Sequence, residues 1–303
     1  MVGTLPSMLF RWDWLSPVVA VPYVPTLGPV GPGALSAELF KAVVEVADTG
    51  RFLPYDKDQR WSSMKDERVI VDEIIHEPGR TVIPTLSTHE HGLMKIHYYG
   101  GSAPRLSETT EWIHTWCATS GVAASRVIWF QKIPDGARTR LMLKTFTDQD
   151  KHHCHRVMHL EDCDVADTFP AFAEQLGTDG FAFLYQRIKA GFSDGPILVA
   201  VDDRRIVGAV GPLGILLDAT GMRTQPPQYF AVHPEYRHRG HGRALWQAAM
   251  TWGAENGAKY KVLQAAVGSA AELLYISEGL STLGFVCSKD LPCASLATSH
   301  DVR

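Results

Sequence analysis

The chain reads as a mixed α/β protein, and three observations carry that expectation. Short apolar runs rich in Val, Ile, Tyr and Phe alternate with segments whose apolar residues recur at helical spacing. Gly and Pro pairs such as Pro78-Gly79 and Gly100-Gly101 separate them. The composition is 45% hydrophobic and 20% charged, so 303 residues can bury a sizeable core in one large domain or two smaller ones. Residues 229–245 run from a strand-type segment, through His233-Pro234 and the glycines Gly240 and Gly242, into a helical pattern from Arg243. A strand that passes through glycines into a helix N-terminus offers free N–H groups and the positive end of a helix dipole, which together suit an anion such as a pyrophosphate.

Charge and cysteine usage exclude other classes. The formal net charge is −4 and no Lys/Arg-rich block exists, so nucleic acid is not an expected partner. No apolar run reaches the ~18 residues of a membrane helix, so no membrane partner is expected either. The five cysteines are scattered and odd in number, which points to reduced thiols and a cytoplasmic location. The Pro-rich N-terminus lacks the basic start and apolar core of a signal peptide.

In chain order, the Pro- and Gly-rich residues 1–34 exclude regular helix, and Ser36 can cap a helix over 37–46. Strands are expected at 68–76, 81–86 and 93–99, with a helix at 107–119. A hairpin of 126–133 and 139–146 is expected around Pro134-Asp135-Gly136. The polar segment Asp148-Gln149-Asp150-Lys151 suggests a boundary between an N-terminal mixed α/β domain (1–150) and a C-terminal domain (151–303). The second half reads as strand 155–161, helices 165–176 and 180–190, strands 197–201 and 206–216 around a tight turn at 202–205, and strand 229–232. Helix 243–256, strand 261–267, helix 270–283 and strand 285–288 complete it.

That order, together with Val232-His233-Pro234-Glu235-Tyr236-Arg237-His238-Arg239-Gly240-His241-Gly242, resembles the GNAT acyl-CoA N-acyltransferase superfamily and its V-x-P-x-x-R-x-x-G-x-G signature. Leu283-Gly284-Phe285 is similar to the L-G-F step that commonly ends the last helix of these folds. The resemblance covers about 150–290. It implies a GNAT fold there and acyl-CoA as co-substrate, with no metal. It also implies that main-chain N–H groups from about His238 through Arg239, Gly240, His241 and Gly242 to Arg243 hold the CoA pyrophosphate, with Arg237 among the cofactor-binding residues. The strand with Phe230, Ala231 and Val232 would diverge from 261–267, and its N–H groups would polarise the thioester. An amine acceptor would then attack the thioester directly.

Proton handling departs from the family pattern. An alkylammonium has a pKa of ~10, so a proton must leave near pH 7. The strand before the glycine loop offers Gln228, Tyr229 and Phe230, and no carboxylate. His233 has a suitable intrinsic pKa for a base, against a phosphate-binding or surface role. The family's leaving-group Tyr lies four residues before the terminal glycine of the last helix. Counting from Gly284 gives Leu280, whereas counting from Gly279 gives Tyr275. Tyr275 is thus a catalytic candidate if Gly279-Leu280 ends the helix, and a packing residue otherwise.

Thirteen histidines require metal to be weighed. His152-His153-Cys154-His155, His159 and Cys163 include zinc-type ligands, but strand spacing puts His155 and His159 ~13 Å apart, which favours polar roles. His89-Glu90-His91 reads as a ligand pair, a cleft lining or a solvated loop. The first half reads as a degenerate GNAT-like unit or as one wall of an acceptor cleft, with Trp112 and Trp116 in that wall or in its core. The two-part layout and Phe10-Arg11-Trp12-Asp13-Trp14 also resemble the glycopeptide-antibiotic N-acyltransferases of the teicoplanin type, which implies an aminosugar acceptor. The competing functions are an aminoglycoside-type resistance acetyltransferase and a catalytically lapsed acyl-CoA-binding module.

Overall fold

The computed structural model describes residues 67–87, 92–120, 122, 124–147, 150, 157–177, 181–218 and 221–292, with isolated positions between 33 and 41. The chain divides into two compact units. One comprises Met1–Val24, Met142–Leu263 and Leu273–Ser281; the other comprises Pro25–Leu141, Gln264–Glu272 and Thr282–Arg303. The described elements give the mixed α/β architecture expected from the alternating pattern.

The described strands of the second of these units include β1 (Glu67–Val69), β2 (Ile75–Glu77), β3 (Arg80–Ser87) and β4 (Leu93–Gly100), which join through antiparallel ladders. Helix α1 (Leu106–Ser120) then returns the chain to β5 (Ala124–Gln131), which lies parallel to β4. Every residue of β4 is buried, as expected of a strand covered on both faces. Met94, Ile96 and Tyr98 alternate along β4 and pack with Val82, Val127, Ile113 and Trp116. Trp116 is therefore core, its Nε1–H donating to Glu73 at 2.6 Å, and Trp112 packs against the same cluster.

The expected hairpin between β5 and β6 (Ala137–Thr145) does not form. The C-terminal strand β14 (Ser281–Pro292) lies between them and pairs antiparallel with β5 from Phe285↔Gln131 to Pro292↔Ala124. The turn read from Pro134-Asp135-Gly136 exists, but it bridges two strand spacings, about 9.6 Å, instead of one. Local turn chemistry does not reveal a distant strand that takes the place between its arms. Gly284 is required here, because a Cβ on it would collide with the Phe130 ring and come within 2.9 Å of the Gln131 carbonyl oxygen.

The other unit contains a four-stranded antiparallel sheet. Its strands are β7 (Val157–His159), β8 (Leu198–Asp202), β9 (Arg205–Gly211) and β12 (Tyr229–Val232), in the order β12-β9-β8-β7. Asp203 and Arg204 take φ of 48° and 57° and close the β8–β9 hairpin with the positive-φ pair of a type I′ turn. Short helices α2 (Phe169–Gln175) and α3 (Phe181–Lys189) precede β8, and Phe172 meets Phe181 edge to face. Between β9 and β12 run β10 (Leu216–Leu217) and β11 (Arg223–Thr224).

Helix α4 (His241–Glu255) follows β12 and buries Leu245, Trp246, Ala249, Met250 and Gly253, one stripe at helical spacing. It packs closely on the sheet because Gly208 has no side chain; a Cβ there would lie 2.8 Å from Leu245 Cδ1. Strand β13 (Tyr260–Ala266) and helix α5 (Ala270–Ser277) come next. The helix expected to run to Leu283 stops at Ser277, and Leu283-Gly284-Phe285 belongs to strand β14. Gly279, with φ 77°, supplies the left-handed stop, so the alternative end at Gly279-Leu280 is the one the chain uses.

Replacing Gly284 by Ala is expected to lower unfolding stability by about 1–3 kcal/mol through overpacking against Phe130. Urea melts measure this, and an unchanged midpoint would mean that the Phe130 ring moves aside.

Candidate functional site: a glycine turn beside diverging strands

The site begins where the chain leaves one sheet for another. Thr224 of β11 pairs in parallel with Tyr260 of β13, and the Gln225 N–H donates to the Tyr260 carbonyl at 3.1 Å. Pro226 and Pro227 follow, and by Tyr229 the chain has joined β9 in the four-stranded sheet. Prolines suit this crossing because they bring no N–H that would need an acceptor between sheets. The Pro226 carbonyl does need a partner. Lys261 of β13 supplies it, donating from Nζ at 2.6 Å and also to the Gln228 side-chain oxygen. Thus β12 and β13 lie in different sheets, with Lys261 bridging the point from which they diverge.

Strand β12 is the last strand of its sheet. The His233 N–H donates to the Val207 carbonyl at 2.8 Å, and the register places Ala231 opposite Ala209 and Tyr229 opposite Gly211. Antiparallel alternation therefore turns the N–H groups of Phe230 and Val232 away from β9, toward the unpaired edge. The Val232 carbonyl on that edge accepts from Arg237 Nε at 3.2 Å. Backbone donors of this kind can polarise a carbonyl placed against the strand.

The turn after β12 is held from three directions. His233 caps a single 3-10 turn (Pro234–Tyr236), its Nδ1 accepting from the Glu235 N–H at 3.4 Å. The Tyr236 hydroxyl donates to Asp203 at 2.9 Å and accepts from Arg205 at 2.7 Å, and the guanidinium groups of Arg205 and Arg239 lie 4.7 and 4.6 Å from its ring centroid. His241 is buried, with Nε2 3.1 Å from Asp202 Oδ2. His238 and Gly240 take φ of 64° and 89°, left-handed conformations that fold the loop back at the start of α4. No side chain caps this helix end, and the N–H groups of His241, Gly242 and Arg243 have no acceptor among the described residues. The exposed cations Arg237, Arg239 and Arg243 lie in the same turn and helix start, Arg237 on the Val232 carbonyl, Arg239 beside Asp202 at 3.6 Å and Arg243 paired to Glu278 at 2.9 Å. Uncapped donors, a helix dipole and arginines are the chemistry that suits a phosphate or diphosphate.

Two pKa shifts follow from this arrangement. Burial pushes the Asp202 carboxyl up, but the His241 hydrogen bond, the Asp203 N–H and the charges of His241 and Arg239 outweigh it and hold the group below the usual range. Burial alone pushes the Lys261 ammonium well down, and no carboxylate partner offsets it among the described residues.

The structure brings Phe230, Ala231, Val232, Arg237, His238, Arg239, Gly240, His241, Gly242 and Arg243 into one strand–turn–helix unit. Tyr275 lies four residues before Gly279, the glycine that ends α5, and its buried ring meets Trp246 of α4 at 4.6 Å. Trp246 and Glu278 in turn line a cavity of about 280 Å³ together with Gln247 and Met250. Sequence reasoning missed Asp202, Asp203 and Arg205, which it treated only as a turn, and it missed the Lys261–Gln228 bridge. His89-Glu90-His91 and residues 152–155 lie outside the described residues. No group of three metal-ligating side chains occurs among the described residues, and no helix among them is long and apolar enough to cross a membrane.

Residues 193–279, which contain the turn and both diverging strands, match the family model for the acetyltransferase (GNAT) domain. A GNAT domain occupies this stretch. No curated protein matches the chain. Solved structures similar to it include a functionally unknown conserved protein from Staphylococcus epidermidis, at 14% identity and TM-score 0.45, covering 72% of this chain and 92% of that one. A GCN5-related N-acetyltransferase from Sphaerobacter thermophilus aligns at 14% identity and TM-score 0.43, covering 85% and 91%. A tandem GNAT protein from the clavulanic acid biosynthesis pathway aligns at 11% identity and TM-score 0.42, covering 72% and 80%.

The buried Lys261 of the GNAT domain gives stability a predictable pH dependence. Its folded pKa is depressed, so between that value and the unfolded value of about 10.4 the unfolded chain binds the extra proton. Stability therefore rises with pH through this window and falls as pH drops through the folded pKa. Urea melts between pH 7 and 10 should show the rise in the wild type and a flatter dependence in Lys261→Met; parallel curves would place the proton elsewhere.

Proposed function

We propose that the GNAT domain transfers an acyl group from acyl-CoA to the amine of a small-molecule or natural-product acceptor. The observation that carries this reading is the uncapped, arginine-flanked start of α4 next to the unpaired edge of β12 where that strand leaves β13. The CoA diphosphate takes the N–H groups of His241, Gly242 and Arg243, and the pantetheine arm follows the β12 edge. The thioester carbonyl then lies against the N–H groups of Phe230 and Val232. The amine nitrogen forms its bond to the carbonyl carbon, the C–S bond breaks, and CoA leaves as a thiolate. Tyr275 returns a proton to that sulfur, a role supported by its place four residues before Gly279. The proton lost by the amine passes to solvent or to His233 Nε2, since His233 Nδ1 is occupied by the Glu235 N–H. An aminosugar amine is the acceptor suggested by the glycopeptide-type resemblance, and an aminoglycoside is the competing one.

Release of CoA thiol from acetyl-CoA in the presence of an amine panel tests the reaction; binding without release from any amine would favour a lapsed acyl-CoA-binding module. Gly242→Asp tests the site. A Cβ at Gly242 stays at ordinary contact distance, 3.7 Å from Val232 Cγ2 and 3.8 Å from Phe230 Cζ. An Asp in the first turn of a helix is favourable for the fold, by about 0.3–1 kcal/mol, yet it repels an anion at the same donors. Tm should hold or rise while CoA affinity falls on the order of tenfold or more. Unchanged affinity would exclude the turn as the diphosphate site.

A further inference from the structure

Lys261 is 1% exposed, and among the described residues no carboxylate pairs with it. A buried amine without a carboxylate partner is costly, and such a group persists where the surroundings give it a task. Its two acceptors are the Pro226 carbonyl and Gln228 Oε1. Because the lysine is the donor in this contact, the amide oxygen of Gln228 faces it and the amide NH₂ faces away. Gln228 is 7% exposed, and its NH₂ donates to no described group. The residue directly precedes β12, and strand alternation puts its side chain on the sheet face of the Phe230 and Val232 side chains, the face that meets Gly242 at the start of α4. It occupies the part of the strand from which the carboxylate is missing, and there it presents a donor that cannot remove a proton.

We infer that Lys261 is a positioning residue that fixes the Gln228 amide so that its NH₂ donates to the acyl carbonyl of the bound thioester in the gap between β12 and β13. This rests on the acyl-transfer reading above. Gln228 adds a side-chain donor to the two backbone donors of β12, and the three together stabilise the negative charge that develops on the carbonyl oxygen during attack. Lys261 performs no proton transfer in this scheme; it acts through Gln228.

The carbonyl stretch of bound [1-13C]acetyl-CoA, read by isotope-edited infrared difference spectroscopy, tests this without knowledge of the acceptor. The band should move to lower frequency when acetyl-CoA binds the wild type. Gln228→Glu keeps the side-chain size and the contact with Lys261 but replaces the donor with an acceptor. Gln228→Leu removes the polar group altogether. Both variants should give back part of the frequency shift while their affinity for CoA itself stays within about twofold, a carbonyl donor being absent from that contact. Lys261→Met should give back the same part, and the double variant with Gln228→Leu should go no further, because the lysine acts through the glutamine. Where turnover is measurable, losing the donor should lower kcat roughly 100-fold. A wild-type band position in Gln228→Glu or Gln228→Leu with acetyl-CoA still bound overturns the inference and leaves acyl transfer intact. Additive effects in the double variant overturn the positioning role of Lys261. Failure of the wild type to bind acetyl-CoA overturns this inference and the acyl-transfer reading together.

Discussion

The GNAT domain depends on how the chain passes from β11 to β12. In the three positions 226–228 it leaves a strand paired with β13 and enters a different sheet. Two adjacent sheets normally share a hydrogen-bond ladder or are separated by packed side chains. Here the separation starts at a pair of prolines, which remove two donors from the crossing, and at a lysine, which satisfies the Pro226 carbonyl. An edge on β12 is thereby left unpaired beside an uncapped helix end. Both features would be liabilities in an ordinary fold, one as an exposed ladder and the other as orphaned donors. They lie side by side inside the stretch that matches the GNAT domain.

The turn is rigid because its contacts converge from separate elements. Tyr236 ties it to the β8–β9 hairpin through Asp203 and Arg205, His241 ties the helix start to Asp202, and Arg237 ties the loop back onto β12. Two acidic side chains near uncapped helix donors would normally weaken their pull on an anion. Asp202 and Asp203 are both engaged, so their charge is spent on orienting the cations and not on opposing a ligand. The left-handed backbone at His238 and Gly240 is then held by its surroundings, as strained turns at functional sites require.

The strand–turn–helix was legible because its signals are local. The apolar run, His233-Pro234 and the two glycines each act within a few residues, and the helix begins two residues before the expected Arg243. The last helix was misread for an instructive reason. Both Gly279 and Gly284 are glycines after an apolar stretch, and only three-dimensional pairing separates a left-handed helix stop from a strand residue pressed on Phe130. The β5–β6 hairpin failed likewise, because β14 enters from more than a hundred residues away. Lys261 could not be read at all. In a strand pattern it looks like an outward-facing polar residue, and its burial depends on Pro226 and Gln228, which meet it only after folding.

The insertion of β14 has a consequence for how the chain acquires its structure. Its eight-residue ladder with β5 joins residues 285–292 to residues 124–131, so one of the longest loops in the protein must close before either neighbour is fully paired. During synthesis the β5 edge emerges early and stays open until residue 292 has left the ribosome. The nascent protein thus carries an unpaired ladder through about half of its translation, an opening for chaperone capture or for wrong pairing with another copy, and a contact of such long sequence separation slows folding.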